Sequence, residues 1–469
     1  ERAAEVEKVI PASLEKDGSV YDMISSGARG SLGQITQMAG MKGLIVSPKG
    51  ETIEFPILTS NKEGLTPLEY FITTHGSRKG LSDTALNTSK AGYLTRRLFV
   101  VAQDVIITEE DCGVKEGVHI KKASASGIDT SIGKKVHGRF LAAEILDSKG
   151  EVLFKRGTFI GKADAEKIEK AGVEEVMVRS PLTCKTGRGL CQKCYGIDLG
   201  KNELVELGEA VGTVAAQAIG EPGTQLTMRT FHSGGTASVG GDITSGLPRV
   251  EEIFERHMPK NPAAVSSCDG TVIEIKDDGR EKTIIVMPAL GNGNKKRDPI
   301  EYSVHFRRMP LVKVGQDVKA AQLLTDGSAD ITELFEYGTK ELAQSYIINE
   351  ITKIYELQGA AISRKHLEVI VRQMFSRCRI KSSGDTFFSV GDVVEYAEFT
   401  LENARAKEAD KEEAKAQNLV MGVTDVSLTR RSVLAAASFQ NTSKILINAS
   451  VRGAKDDLVG LKENVIIGR

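Results

Sequence analysis

Residues 66–101 read TPLEYFITTHGSRKGLSDTALNTSKAGYLTRRLFVV. Thr66, Pro67 and Glu69 mark the start of a helix. A threonine caps, a proline suits the first helical position because its missing N–H is not needed there, and a glutamate three residues after the cap bonds back to it. No proline interrupts the stretch from Leu68 to about Val101, which predicts one helix of about 34 residues and about 50 Å at a rise of 1.5 Å per residue. Gly76, Gly80 and Gly92 lie inside it, and each glycine costs about 1 kcal/mol relative to alanine in a helix interior. Two readings stay open: a core helix that meets other helices at its glycines, or a long helix weakened so that it can bend.

On the N-terminal side, SSGARGSLGQITQMAGMKGLIVSPKG (25–50) is broken by glycines and predicts short helical pieces and loops. On the other side, residues 104–183 alternate β-like runs (VHGRFLAAEIL, EVLFKRGTFI, VEEVMVRS) with glycine turns and one short helix, ADAEKIEKAG. That pattern predicts a small α+β domain. ELVELGEAVGTVAAQAIGE (203–221) predicts a helix ending at GEPG, where Pro222 and two glycines should break it. A second short helix is expected from Thr224 to about Ser233, then the glycine-rich GGTASVGGDITSG and another short helix, VEEIFERH. Short helices joined this way are marginally stable and can order and disorder. Residues 263–330 predict strands, 328–378 helices, 404–416 (ARAKEADKEEAKA) a solvated, partly helical surface loop, and RRSVLAAASFQNTSKILINASV a helical tail. The expected fold class is α+β and multidomain.

The chain has 469 residues, enough for about three domains. Its 40% apolar content allows real cores. No apolar run approaches the roughly 18 residues that span a bilayer, and the start ERAAEVEKVI is not a signal peptide. The first residue is not Met and the last residues are VIIGR, so a segment of a longer chain is expected. A net charge of −1 leaves no overall basic excess of the kind a stand-alone nucleic-acid binder shows.

Six cysteines are too few for a disulfide scaffold in a chain this long. Cys184, Cys191 and Cys194 sit within eleven residues, as C-K-T-G-R-G-L-C-Q-K-C. A CxxC turn lets two sulfurs reach one ion, and zinc takes four tetrahedral ligands for which thiolates are suited. Gly187 and Gly189 let the loop turn, Lys185, Arg188 and Lys193 would offset thiolate charge, and Cys112 in EEDCG is the best fourth ligand. A closed four-thiolate zinc site is structural, not catalytic. Free cysteines are the competing reading; Cys268 and Cys378 stand alone and are taken as ordinary residues.

Gln225, Met228, Arg229 and His232 fall at i, i+3, i+4 and i+7, on one face of a helix. Glutamine suits sugar hydroxyls, methionine can press on a base, arginine can fork phosphate oxygens, and histidine can donate a proton near neutral pH. An amphipathic surface helix with incidental polar residues has the same spacing.

Several stretches together resemble the beta-prime subunit family of bacterial RNA polymerases. VGTVAAQAIGEPGTQLTMRTFHSGG (211–235) with DITSGLPRVEEIFE (242–255) is similar to its trigger loop, THGSRKGLSDTALNTSKAGYLTRRL (74–98) to its bridge helix, and SSGARGSLGQITQMAGMKGL (25–44) to the loop region at the rim of the substrate channel. The four cysteines match its second zinc site, and LEVIVRQM (367–374) and LKENVIIGR (461–469) its C-terminal part. The resemblance implies a channel-rim region at 1–65, a bridge helix at 66–101, a zinc-binding α+β module at 102–202, a trigger-loop helical hairpin at 203–258, a β-rich jaw-like module at 259–330 and a C-terminal helical region at 331–469.

It also implies roles. Met228 would contact the base of an incoming nucleoside triphosphate, Gln225 its ribose, and Arg229 and His232 its phosphates, with His232 a positional catalyst or a general acid. Arg29 would reach the same phosphates. Thr88, Ser89 and Gly92 would lie beside the template base, where the glycines permit bending during translocation. The implied cofactors are a structural Zn2+ and a catalytic Mg2+. The implied partners are DNA template, RNA product, nucleoside triphosphates, the beta, alpha, omega and sigma subunits and the rest of beta-prime, in the cytoplasm at the nucleoid and without a membrane. Many members carry Ala where Ser89 stands and Lys where Asn87 stands, and the trigger loop here lacks the large insertion some bacteria have. The family's magnesium-binding run, Asn-Ala-Asp-Phe-Asp-Gly-Asp, is absent from these residues, so this chain alone is not expected to polymerise.

Two other classes compete. A zinc-stabilised, non-catalytic nucleic-acid-binding module would have no use for the four-residue face beside a glycine-rich hinge. A small zinc enzyme would need an open metal position, typically with histidine among the ligands.

Overall fold

The computed structural model describes all residues except 1–4, 7–8, 11–12, 16, 27, 29, 31, 50, 123–130, 147–151, 233–245, 260–261, 278–280, 290–297, 307, 358–359 and 361; for 225–232 it describes the backbone alone. The chain divides into two units, Glu1–Leu94 with Gly220–Leu247, and Thr95–Ile219 with Pro248–Arg469. It mixes helices with several small sheets, an α+β architecture. No described helix is long and apolar enough to cross a membrane.

The first unit contains α1 (Ser19–Ser25) and α2 (Leu32–Ile35), which runs into a π-helical turn at Thr36–Gly40. Its core is a small cluster of Ile45, Ile57 and Ile72, with Ile53 and Leu65 against it. Ile72 belongs to α3 (Pro67–Ala102), an unbroken helix of 36 residues. The reciprocal cap at its start forms: Thr66 N–H donates to Glu69 Oε2 at 2.9 Å and Glu69 N–H to Thr66 Oγ1 at 3.3 Å. A Cβ added at Gly92 would meet open space, so no described group uses that glycine for close packing.

The second unit takes over at Thr95. Here Arg97 is buried and pairs with Glu251 and Glu255, both at 2.6 Å. At the C-terminal end of α3, Arg430 donates to the Val101 carbonyl and to Asp104, each at 2.6 Å. A cation there meets a helix end whose carbonyls lack intrahelical partners.

After α3 come β1 (Ile107–Glu109), β2 (Val118–Lys121), α4 (Ile132–Val136), β3 (Ile145–Leu146), β4 (Val152–Phe154), α5 (Lys162–Lys170), β5 (Glu175–Val178), β6 (Leu190–Cys191) and α6 (Gln192–Tyr195). The strands make three two-stranded pairs: β1 with β6 parallel, and β2 with β5 and β3 with β4 antiparallel. Ile120, Val136, Leu141, Ile160, Ile168 and Val178 bury together between these strands and the two helices.

The next helix, α7, runs from Val211 to His232 with Pro222 inside it. The expected break at GEPG does not occur. Proline removes one N–H and crowds one carbonyl, but hydrogen bonds on either side carry the helix through, so the predicted pair of short helices is one longer helix. Near its start, Gly212 N–H donates to the Val105 carbonyl at 2.9 Å, and a Cβ on Gly212 would lie 1.8 Å from the Ala102 oxygen. Only glycine lets the end of α3 and the start of α7 approach this closely. The glycine-rich loop expected after α7 lies, but for Gly246, outside the described residues.

Then come α8 (Leu247–Phe254) and a four-stranded antiparallel sheet of order β10-β7-β8-β9, built from β7 (Gly270–Asp277), β8 (Glu281–Pro288), β9 (Ile300–His305) and β10 (Asp317–Val318). Val272, Ile284, Val286, Val312, Val318 and Leu324 form its core. Helices α9 (Ile331–Tyr337), α10 (Lys340–Leu357) and α11 (Arg364–Met374) follow. The rest of the chain mixes helix and strand, where the resemblance implies a helical region. It holds a three-stranded sheet, order β12-β11-β13, from β11 (Arg377–Ser382), β12 (Val393–Glu395) and β13 (Lys415–Leu419), with α12 (Tyr396–Glu408) between the last two. The charged 404–416 run is therefore the end of a helix, a turn and the start of a strand, and it buries Ala406 and Ala414. Four short helices close the chain: α13 (Val423–Leu428), α14 (Val433–Ala437), α15 (Thr442–Arg452) and α16 (Leu461–Ile466).

Candidate metal centre and substrate-closing helix

Cys112 follows β1, Cys184 follows a single 3-10 turn at Pro181–Thr183, Cys191 ends β6 and Cys194 lies in α6. Their four sulfurs all lie within 4.8 Å of one another. The separations are 3.7 Å for Cys112–Cys194, 3.8 Å for Cys112–Cys184 and 3.9 Å for Cys184–Cys191. A tetrahedron with metal–sulfur bonds of about 2.3 Å has edges of about 3.8 Å. The donor set and its size thus fit one four-coordinate ion, and no sulfur pair approaches disulfide distance.

The local backbone builds this geometry. Cys191 Sγ caps α6 by accepting the Cys194 N–H at 3.4 Å, which folds the two thiols of the CxxC turn to one side. Gly189 adopts φ +74°, and a Cβ there would lie 2.3 Å from the Ile106 carbonyl. Gly189 is therefore required, as expected of the loop, while a Cβ on Gly187 would meet open space. Val105, Ile107, Leu190, Tyr195, Val205, Val211 and Val369 pack around the sulfurs.

Electrostatics identify a residue that spacing did not. One Nη of Arg179 donates to Asp111 at 2.7 Å and lies 3.4–3.6 Å from the sulfurs of Cys112, Cys191 and Cys194. Of the cations expected to offset the thiolates, Lys193 pairs with Asp111 at 2.8 Å and Lys185 with Glu116 at 3.6 Å instead. Arg179 stands five positions before Cys184, just past β5, where its N–H donates to the Phe140 carbonyl at 2.8 Å. Four thiols this close cannot all ionise without a cation. Hydrogen bonds from Cys191 and Cys194 favour the Cys184 thiolate, and that thiolate in turn pushes the Cys191 thiol up to about 11 and Cys194 higher still. Such a set is suited to a divalent metal that holds every thiolate at once.

Thr88, Ser89 and Gly92 are exposed on α3; Thr88 Oγ1 donates to the Thr84 carbonyl at 2.7 Å and Ser89 Oγ to Leu86 at 2.8 Å. Gln225, Met228, Arg229 and His232 fall in the last two turns of α7, where the backbone is helical and the side chains are outside the described residues. Arg29 is also outside them. Cys268 and Cys378 are free and belong to no cluster among the described residues; burial pushes the Cys378 thiol up to about 11.

A sequence model for RNA polymerase Rpb1, domain 5, matches residues 64–430, and one for domain 4 of the same protein matches residues 1–63. The chain belongs to the RNA polymerase Rpb1 family. It is 48% identical over 458 residues to a protein of Natranaerobius thermophilus named DNA-directed RNA polymerase subunit beta', covering 97% of this chain and 37% of that one. Proteins of the same name from Caldicellulosiruptor saccharolyticus and Caldanaerobacter subterraneus subsp. tengcongensis are 47% and 45% identical, over 97% and 99% of this chain and 39% of theirs. The chain thus spans well under half the length of these relatives. The domain 5 match takes in all four cysteines, α3 and α7, and the domain 4 match takes in Arg29.

Proposed function

We propose that this chain forms part of the catalytic beta-prime subunit of a multisubunit DNA-directed RNA polymerase, where α7 closes on the incoming nucleoside triphosphate and α3 supports translocation. The observation that carries the reading is the 44–48% identity along nearly the whole chain to proteins named as that subunit. The partners are template DNA, RNA product, nucleoside triphosphates, the beta, alpha, omega and sigma subunits and the remainder of beta-prime, in the cytoplasm at the nucleoid.

The work of the substrate end falls to four positions of α7. Gln225 holds ribose hydroxyls, Met228 presses on the base, and Arg229 forks phosphate oxygens. His232 stands toward the bridging oxygen of the pyrophosphate leaving group, where an imidazolium donates a proton or holds the oxygen in place. Arg29 adds charge to the phosphates, and Thr88, Ser89 and Gly92 line the template side. Closing such a helix on the triphosphate aligns the reacting groups and excludes water. The magnesium such an enzyme uses binds residues outside these 469, since the chain lacks the aspartate run.

Cys112, Cys184, Cys191 and Cys194 would hold Zn2+, which would supply a structural cross-link. The test is single-nucleotide addition by the assembled enzyme with His232→Ala. Slower addition with unchanged template binding supports the assignment; equal loss of both defeats it.

A further inference from the structure

Helix α11 packs along the cysteine loop and the chain on either side of it through four residues. Lys365, Glu368, Val369 and Arg372 stand at i, i+3, i+4 and i+7, one face of the helix. Arg372 donates to three carbonyls of the loop between two ligands: Gly189, Thr186 at 2.8 Å and Cys184 at 3.4 Å. Val369 is fully buried in the apolar cluster that contains Cys184, Cys191 and Cys194. Glu368 is fully buried as well; it accepts from Ser180 at 2.9 Å, four positions before Cys184, and from Arg139 at 2.8 Å, while Arg364 steadies its other oxygen at 3.1 Å. Lys365 donates to the Ile197 carbonyl and lies 4.4 Å above the Tyr195 ring, just past Cys194.

We infer that α11 is the clamp of the metal centre and that Arg372 is its positioning residue, so that the metal is retained only while this helix is docked. The inference rests on reading the four cysteines as a metal site. The helix grips the chain before the loop, within it and after the last ligand, and so holds the backbone that carries Cys184, Cys191 and Cys194. No carboxylate pairs with Arg372 among the described residues. A divalent ion with four thiolates carries about two units of negative charge; Arg179, Lys193 and Asp111 beside the sulfurs sum to one positive charge, and Arg372 against the loop carbonyls adds a second. Groups that orient metal ligands from behind typically change metal affinity by about 10- to 100-fold when removed.

The experiment follows zinc release from the zinc-loaded full chain into a chelating dye. Arg372→Gln is expected to release zinc about tenfold faster or more. Arg372→Lys should restore part of the difference, since one ammonium cannot span three carbonyls. Arg405→Gln, on an exposed pair of α12, should match wild type. Release by folded Arg372→Gln within about twofold of wild type overturns the clamp. If that variant does not fold, Glu368→Gln carries the same expectation. A second arm needs no variant: chelation of the wild type should speed amide exchange in Arg364–Met374 while β7 and β8 keep their protection, and unchanged exchange in α11 overturns the inference. A wild-type chain that holds no zinc defeats the metal reading itself and is seen before any variant is compared.

Discussion

The cysteine centre and the end of α7 are built on opposite plans. The centre gathers ligands from positions as far apart as Cys112 and Cys194, buries Cys191 and Cys194 almost completely, and is closed from behind by Arg179 and α11. Gln225, Met228, Arg229 and His232 lie within eight consecutive positions of one helix, which passes through a proline before reaching them. A site made by long-range packing reports damage as lost stability. A site made by local spacing on one helix would report it as lost rate.

The largest effect that can break this contrast is on the metal side. Structural zinc contributes about 10–16 kcal/mol in small peptides, so Cys191→Ser should abolish metal retention and lower the melting temperature sharply. A variant that melts like wild type with one zinc bound would remove the distinction. Next is His232→Ala, expected to slow nucleotide addition by about 100-fold or more, the range of positioned proton donors; a melting scan should show no change, and a large drop would place this residue with the structural class.

A third prediction sharpens the contrast through pH. Burial, with Lys365 and Arg139 nearby, pushes the His366 imidazole of α11 down to about 4 from an ordinary 6.5. The folded state then binds fewer protons than the unfolded state between those values, so stability is full above about 6.5 and falls as pH drops toward 4, by on the order of 3 kcal/mol. Urea unfolding at pH 7 and pH 4.5 should show this loss, and His366→Gln should reduce it. The smallest effect belongs to α3. Gly92→Ala adds a methyl to open space and should stabilise the helix by about 1 kcal/mol. If bending at this glycine serves translocation, elongation slows while stability rises; elongation at the wild-type rate would return Gly92 to a plain helix position.

The features that sequence revealed are local ones. The Thr66–Glu69 cap needs four residues and forms as expected. The CxxC turn and the Gly189 turn are likewise short-range, and the sheet at 270–318 follows from alternating β-branched runs. The misses are of two kinds. Pro222 reads as a breaker because propensity counts the lost bond and not the bonds retained on both sides. The strand at 415–419 lies in a charged run without β-branched residues before its end, and it forms because β11 offers it an open edge.

Family membership, the capped helix and the CxxC turn are legible along the chain, because each is carried by the identity and spacing of neighbouring residues; Cys112 joins the other three cysteines only in the folded chain. Tertiary structure alone decided which cation faces the sulfurs and which helix closes them. Arg179 meets the sulfurs from just past β5, and Arg372 meets the loop from a helix some 180 positions beyond it. The physical reason is that a charge offsets thiolates by proximity in space, at a range of a few ångströms, and no pattern along the chain records which distant residue burial will bring there.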